Sequence, residues 1–118
     1  MPSKNQHIKR AYLNEEFAQE ILSLDNKFMF WALVAFHYSA LHWVDAYLAT
    51  INEHPMSHYI RDKCLSRVSH LRKIYSKYHQ LQTDSRDSRY NIHSFKARDI
   101  SDARDYLYSI KSHLQSVL

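Results

Sequence analysis

Between Phe28 and Ile51 the chain reads FMFWALVAFHYSALHWVDAYLATI, apolar on almost every side of any regular structure it can adopt. Strict alternation is missing, Ala recurs at 32, 35, 40, 46 and 49, and the run outlasts a normal strand, so length and propensity both favour a helix. A helix that is apolar all round is buried all round. Its longest piece without an ionisable side chain, Phe28 to Phe36, falls well short of the roughly 20 residues that span a bilayer. His37, His42 and Asp45 follow, so the run is expected to be the central helix of a core rather than a membrane span.

The remaining 94 of the 118 residues must cover that helix, and their composition narrows how. There is no glycine, and the only prolines are Pro2 and Pro55, so the positive-φ positions needed by tight hairpins and phosphate-cradling loops have no cheap supplier. This weighs against β structure, P-loops and dinucleotide folds. One cysteine, Cys64, rules out an internal disulfide framework and fits a small core residue in a reducing compartment. The opening residues MPSKNQHIKRAYLNEE show no secretory leader, and a cytoplasmic location is expected. A net charge of +4 permits a polyanionic partner without requiring one.

Residues 1–7 read as a polar tail and 8–118 as a single domain. Leu13, Phe17, Ile21 and Leu24 recur at helical spacing opposite Glu15, Glu16 and Glu20, giving a first amphipathic helix. Asp25 and Asn26 are natural caps for the central helix. A third helix is expected to start at Pro55 and run to Leu81 on the stripe Cys64, Val68, Leu71, Ile74, Tyr75, Tyr78 and Leu81. The periodicity then fails from Thr83 to Asp99, which reads as a long ordered loop. A last helix carries Ala103, Leu107, Ile110, Leu114 and Val117 inward. An all-α, antiparallel up-and-down four-helix bundle is the simplest assembly. The central helix carries more apolar surface than one small bundle needs, so a homodimer burying part of it is expected.

Histidines at 37, 42, 54 and 58 invite a metal, but 37 and 42 are five apart and diverge around a helix, and Pro55 separates 54 from 58. No metal or other cofactor is expected, and His42 and Asp45 are read as a hydrogen-bonded pair. The third helix has six cations, Arg61, Lys63, Arg67, Arg72, Lys73 and Lys77, against Asp62 alone, a net +5, with Tyr59, Tyr75 and Tyr78 interleaved. Such a face suits phosphates, with Arg61, Arg67, Lys73, Lys77 and His58 as candidate contacts. The plainer reading is a solvated charged face.

The segments FHYSALHWVDAYLA, HPMSHYIRD and YHQLQTDSRDSRYNIHSF, with the Arg89–Tyr90 pair before the last helix, resemble the HEPN domains over residues 10–117. The resemblance implies a helical bundle, usually dimeric, that binds nucleotides or RNA, often in toxin–antitoxin or defence systems. Cleaving members carry an Arg, a polar neighbour and a His, two copies facing each other. Arg86, Asp87 and His93 are the nearest match, with six residues between Arg86 and His93. An Arg and His pair suits metal-independent RNA transesterification, with His moving the proton and Arg holding the phosphate. Arg89–Tyr90 is closer to the version in members not known to cleave. The alternative is a non-catalytic module that contacts an antitoxin or nucleotidyltransferase partner and uses its arginines structurally.

Overall fold

In the computed structural model, which describes residues 1–90 and 95–118, the central run forms helix α2, Phe30–Thr50, and nearly every side chain from Ala32 to Leu48 is buried. Asp25 does cap the approach, accepting the Lys27 amide at 3.0 Å, but what it caps is a single 3-10 turn, Asn26–Phe28, ahead of α2. The far end closes without glycine. Asn52 takes φ 58°, the left-handed conformation that Asn tolerates best after Gly, and the Asn52 and Glu53 amides return to Ala49 and Leu48 carbonyls at 3.2 and 2.9 Å.

Helix α1, Lys4–Leu22, starts within the expected tail because Ser3 and Gln6 cap it reciprocally. The Gln6 amide donates to Ser3 Oγ at 3.2 Å, and the Ser3 amide donates to Gln6 Oε1 at 2.8 Å. Its buried face is also not the expected one. His7, Ala11, Ala18 and Ile21 face inward, and Leu13, Phe17 and Leu24 face out. Small residues win this face because they let α1 lie close against α2, close enough for the Ser39 hydroxyl to donate to the Ala11 carbonyl at 2.8 Å.

The expected third helix is three pieces. Pro55 does not start it. Ser57 does, accepting the Ile60 amide at 3.2 Å, and α3 runs His58–Arg67. Val68 is extended, with ψ 123°, which separates α3 from the short α4, Ser69–Arg72, and a further break precedes α5, Tyr75–Tyr90. The expected long loop is thereby corrected: residues 83–90 are the last turns of α5. Tyr78, Leu81 and Ser85 are its buried residues, so the helical period continues with a serine standing where an apolar residue was sought. Residues 91–94, including His93, lie outside the described residues.

Helix α6, Ala97–Val117, buries Ile100, Ala103, Leu107, Ile110 and Leu114, and Asp99 reaches back to the Lys96 amide at 2.8 Å. It lies antiparallel to α1, as Gln115 to Tyr12, Lys111 to Glu15 and Gln19 to Tyr108 step in opposite directions along the two helices. Helix α2 packs against α1, α5 and α6. The described residues contain no strand, and no helix among them is long and apolar enough to cross a membrane.

This packing removes the ground on which a dimer was expected. Phe36, Trp43 and Tyr47 of α2 are covered within one chain, and Trp31 at its start is exposed.

Candidate functional site

A charge inside the apolar run forces the first contact. Asp45 is buried on α2, and α3 answers it with Arg61, whose Nε donates to Oδ1 at 2.7 Å and Nη2 to Oδ2 at 3.0 Å. This paired geometry is the one a guanidinium and a carboxylate form best. Burial alone would lower the Arg61 pKa, but the bonds to Asp45 and its charge outweigh it and raise it. The expected His42–Asp45 pair is therefore replaced. His42 instead meets His7 of α1, their Nδ1 atoms 3.0 Å apart, and burial followed by the neighbouring His7 lowers the His42 pKa to about 4.

One turn before Arg61, His58 sits exposed at the start of α3, its Nδ1 3.4 Å from Arg61 Nη1. Beneath it lies His37 of α2, fully enclosed, with the rings of His58 and Tyr78 centred 5.9 and 5.6 Å away. Neither ring nitrogen of His37 has a hydrogen-bond partner among the described residues, and the same holds for the Tyr78 hydroxyl and Ser85 Oγ. Buried polar groups are rarely left so, which makes this corner between α2, α3 and α5 the most unusual part of the interior. Burial first, then the charges of His58, Arg89 and Arg61, hold the His37 pKa down to about 3. Burial pushes the Tyr78 hydroxyl well above the usual tyrosine range. Both are neutral at any physiological pH.

Arg89 closes the group from the end of α5. Its Nε donates to the Ser85 carbonyl at 3.2 Å, and its guanidinium stands 5.1 Å from the centre of the exposed Tyr90 ring. Its charge depresses the pKa of both His37 and His58. Lys63 Nζ lies 4.6 Å over the ring of Tyr59, also exposed and next to His58 in sequence. Two exposed tyrosines, each with a cation over its face, thus accompany the corner of His58 and Arg89, in which Arg89 supplies the standing positive charge.

The other expected contacts do not join it. Arg61 faces inward and is neutralised by Asp45, so it supports His58 rather than offering a free guanidinium. Arg67 is exposed and reaches Glu53 at 3.4 Å, Lys73 sits at the break before α5, and Lys77 turns to α6 and donates to Ser109 at 2.9 Å. The single basic face is dispersed because α3, α4 and α5 point their cations in different directions. Arg86 is exposed, with Asp87 at a loose 3.8 Å, and its expected companion His93 is outside the described residues.

Sequence reading missed His37, Tyr78 and Ser85 as a group and the inward turn of Arg61. A signal existed for the last: Arg61, Cys64, Leu65 and Val68 share the i, i+3, i+4, i+7 spacing of a buried stripe, so Arg61 belonged to it and Asp45 was the unpaired acid it answered. Among the described residues no three His, Cys, Asp or Glu side chains converge as a metal site. Compared with family models, curated proteins and solved structures, the chain matches none.

Proposed function

We propose that the chain is a HEPN-like antiparallel bundle of four long helices, working as a homodimer, that binds RNA or a nucleotide at the corner where α3 begins and α5 ends. The observation that carries this reading is the pair of exposed rings, Tyr90 under Arg89 and Tyr59 under Lys63, at the corner where the charge of Arg89 reaches His58 and helps lower its pKa. Phosphate is held by cations, and bases stack on aromatic faces whatever their sequence, so paired cations and exposed rings are what single-stranded nucleic acid requires. Arg89 and His58 take the phosphate, Tyr90 and Tyr59 offer the stacking faces, and the Arg61–Asp45 pair fixes the start of α3. His37 and Tyr78 are sealed from solvent and act only by positioning His58 and α5.

Labelled single-stranded RNA in EDTA tests the reading by fluorescence anisotropy. At neutral pH Arg89→Ala weakens binding by about tenfold, the loss of one charge-assisted contact, while His58→Ala weakens it only below the lowered pKa of His58, both with melting temperature little changed. Arg104→Ala, an exposed arginine on α6, leaves affinity as it was. Equal affinity in wild type and Arg89→Ala would defeat the reading. Gel analysis of the same mixtures reports whether the bound RNA is also cleaved without metal, with Arg86→Ala and His93→Ala as the variants that must then be inactive.

A further inference from the structure

The outer face of α1 carries Leu13 and Phe17, and Leu24 follows just past the end of the helix; they are 57%, 58% and 60% exposed. At about 100° per residue Leu13 and Phe17 fall within about 40° of each other on the helix. Phe28 in the following turn and Trp31 at the start of α2 are exposed as well. Exposed apolar side chains scattered singly are ordinary, but a stripe of them marks a contact surface.

We infer that this stripe joins two copies of the chain, α1 against α1 and antiparallel, about a two-fold axis near Asn14 and Glu15. The inference deepens the dimeric part of the reading above and is independent of RNA binding. Charges beside the stripe select both the occupant and the direction. Lys9, Glu16 and Glu20 border one edge, with Lys9 toward the start of the helix and the two acids toward its end, and Arg10 borders the other. All four are exposed, and none makes an ion pair within the chain among the described residues, whereas Glu15, on another face, is held by Lys111.

A two-fold that sets the helices antiparallel brings like edges together end for end, so each interaction is made twice. Lys9 of each copy then lies along Glu16 and Glu20 of the other, and Leu13 of each interleaves with Phe17. A parallel pairing brings opposite edges together at one level and sets Lys9 beside Arg10, two cations facing each other. The pattern on α1 is thus complementary to its own reverse, which is what a second copy recognises.

Sedimentation equilibrium and light scattering on the full chain test this. The expected mass at about 100 μM, where a standard-sized interface is saturated, is twice the 14.2 kDa of one chain. Phe17→Glu and Leu13→Glu return it to one chain with helical circular dichroism unchanged, because both side chains are already outside the fold. Lys9→Glu raises the dissociation constant by at least about tenfold, and the triple variant Lys9→Glu, Glu16→Lys, Glu20→Lys restores the dimer. A wild-type monomer at that concentration overturns the proposal and leaves the stripe to a different protein. A dimer that survives Phe17→Glu, or a triple variant that stays apart, overturns the surface or the direction. RNA affinity is a separate readout, so failure here and failure of the Arg89 site are told apart.

Discussion

Asp45 is the one carboxylate inside the central helix, and its pairing with Arg61 leads to two predictions. Arg61→Ala strands a buried carboxylate and is expected to cost about 3–5 kcal/mol, read as a lowered denaturation midpoint. Replacing both partners, Asp45→Leu with Arg61→Met, removes the uncompensated charge and recovers most of that loss. The buried histidines lead to a pH dependence. His37, held down to about 3, and His42, held down to about 4, stay neutral in the folded chain, while in the unfolded chain they take up a proton near their ordinary value of 6.5. The unfolded state therefore binds more protons below pH 6.5. Stability is complete above that pH and falls as pH drops, for His37 by about 1.4 kcal/mol per unit. His42, partly open to solvent, adds less. Melting temperature measured from pH 7.5 to 4.5 should fall, and His37→Phe, which gives up no hydrogen bond among the described residues, should flatten the curve. A slope unchanged in His37→Phe would show that other groups cause the fall. Single residues were the least legible in the sequence. Asp45 was seen there as a charge in an apolar run, but its partner lay on another helix, and only the packing of α3 on α2 decides between His42 and Arg61.

At the scale of elements, legibility followed the strength of the apolar pattern. Helices α2 and α6 came out near their expected bounds because each has a clear buried face, including Ala103, Leu107, Ile110 and Leu114 on α6. Helix α1 was found but turned, since Leu13 and Phe17 are more apolar than Ala11 and Ala18, yet close approach to α2 selects the small residues. The break at Val68 has no glycine or proline to announce it. The extension of α5 was hidden because Ser, Asp and Arg over 83–90 resemble a loop, while their side chains turn back on the helix: Gln80 donates to Asp84, Ser88 to the Asp84 carbonyl and Arg89 to the Ser85 carbonyl. Ser85 offers a test of that helix. Its hydroxyl is buried without a partner among the described residues, and alanine has the better helical propensity, so Ser85→Ala is expected to raise stability by about 1 kcal/mol. A loss of stability on the same substitution would show that the hydroxyl is bonded in solution.

For the whole molecule, the question is whether a chain of net charge +4 meets RNA through one corner or through diffuse attraction. The cations expected to form one face are divided among Asp45, Glu53 and Ser109, and the α1 surface is mixed in sign, so the +4 is not gathered into a single broad patch. Local binding then predicts a shallow salt dependence. For single strands, each phosphate neutralised contributes about 0.7 to the slope of log affinity against log salt, so two cations, Arg89 and His58, give a slope near −1.4, with His58 adding its share only below its own lowered pKa. At neutral pH, Arg89 should therefore dominate, and Arg89→Ala should remove about 0.7 of the measured slope, while a stacking loss such as Tyr90→Ala should lower affinity and leave the slope alone. Diffuse attraction predicts the opposite pattern: a steep slope barely altered by any one substitution, with no effect of Tyr90→Ala. Anisotropy titrations at several salt concentrations, on the wild type and these two variants, distinguish the two outcomes.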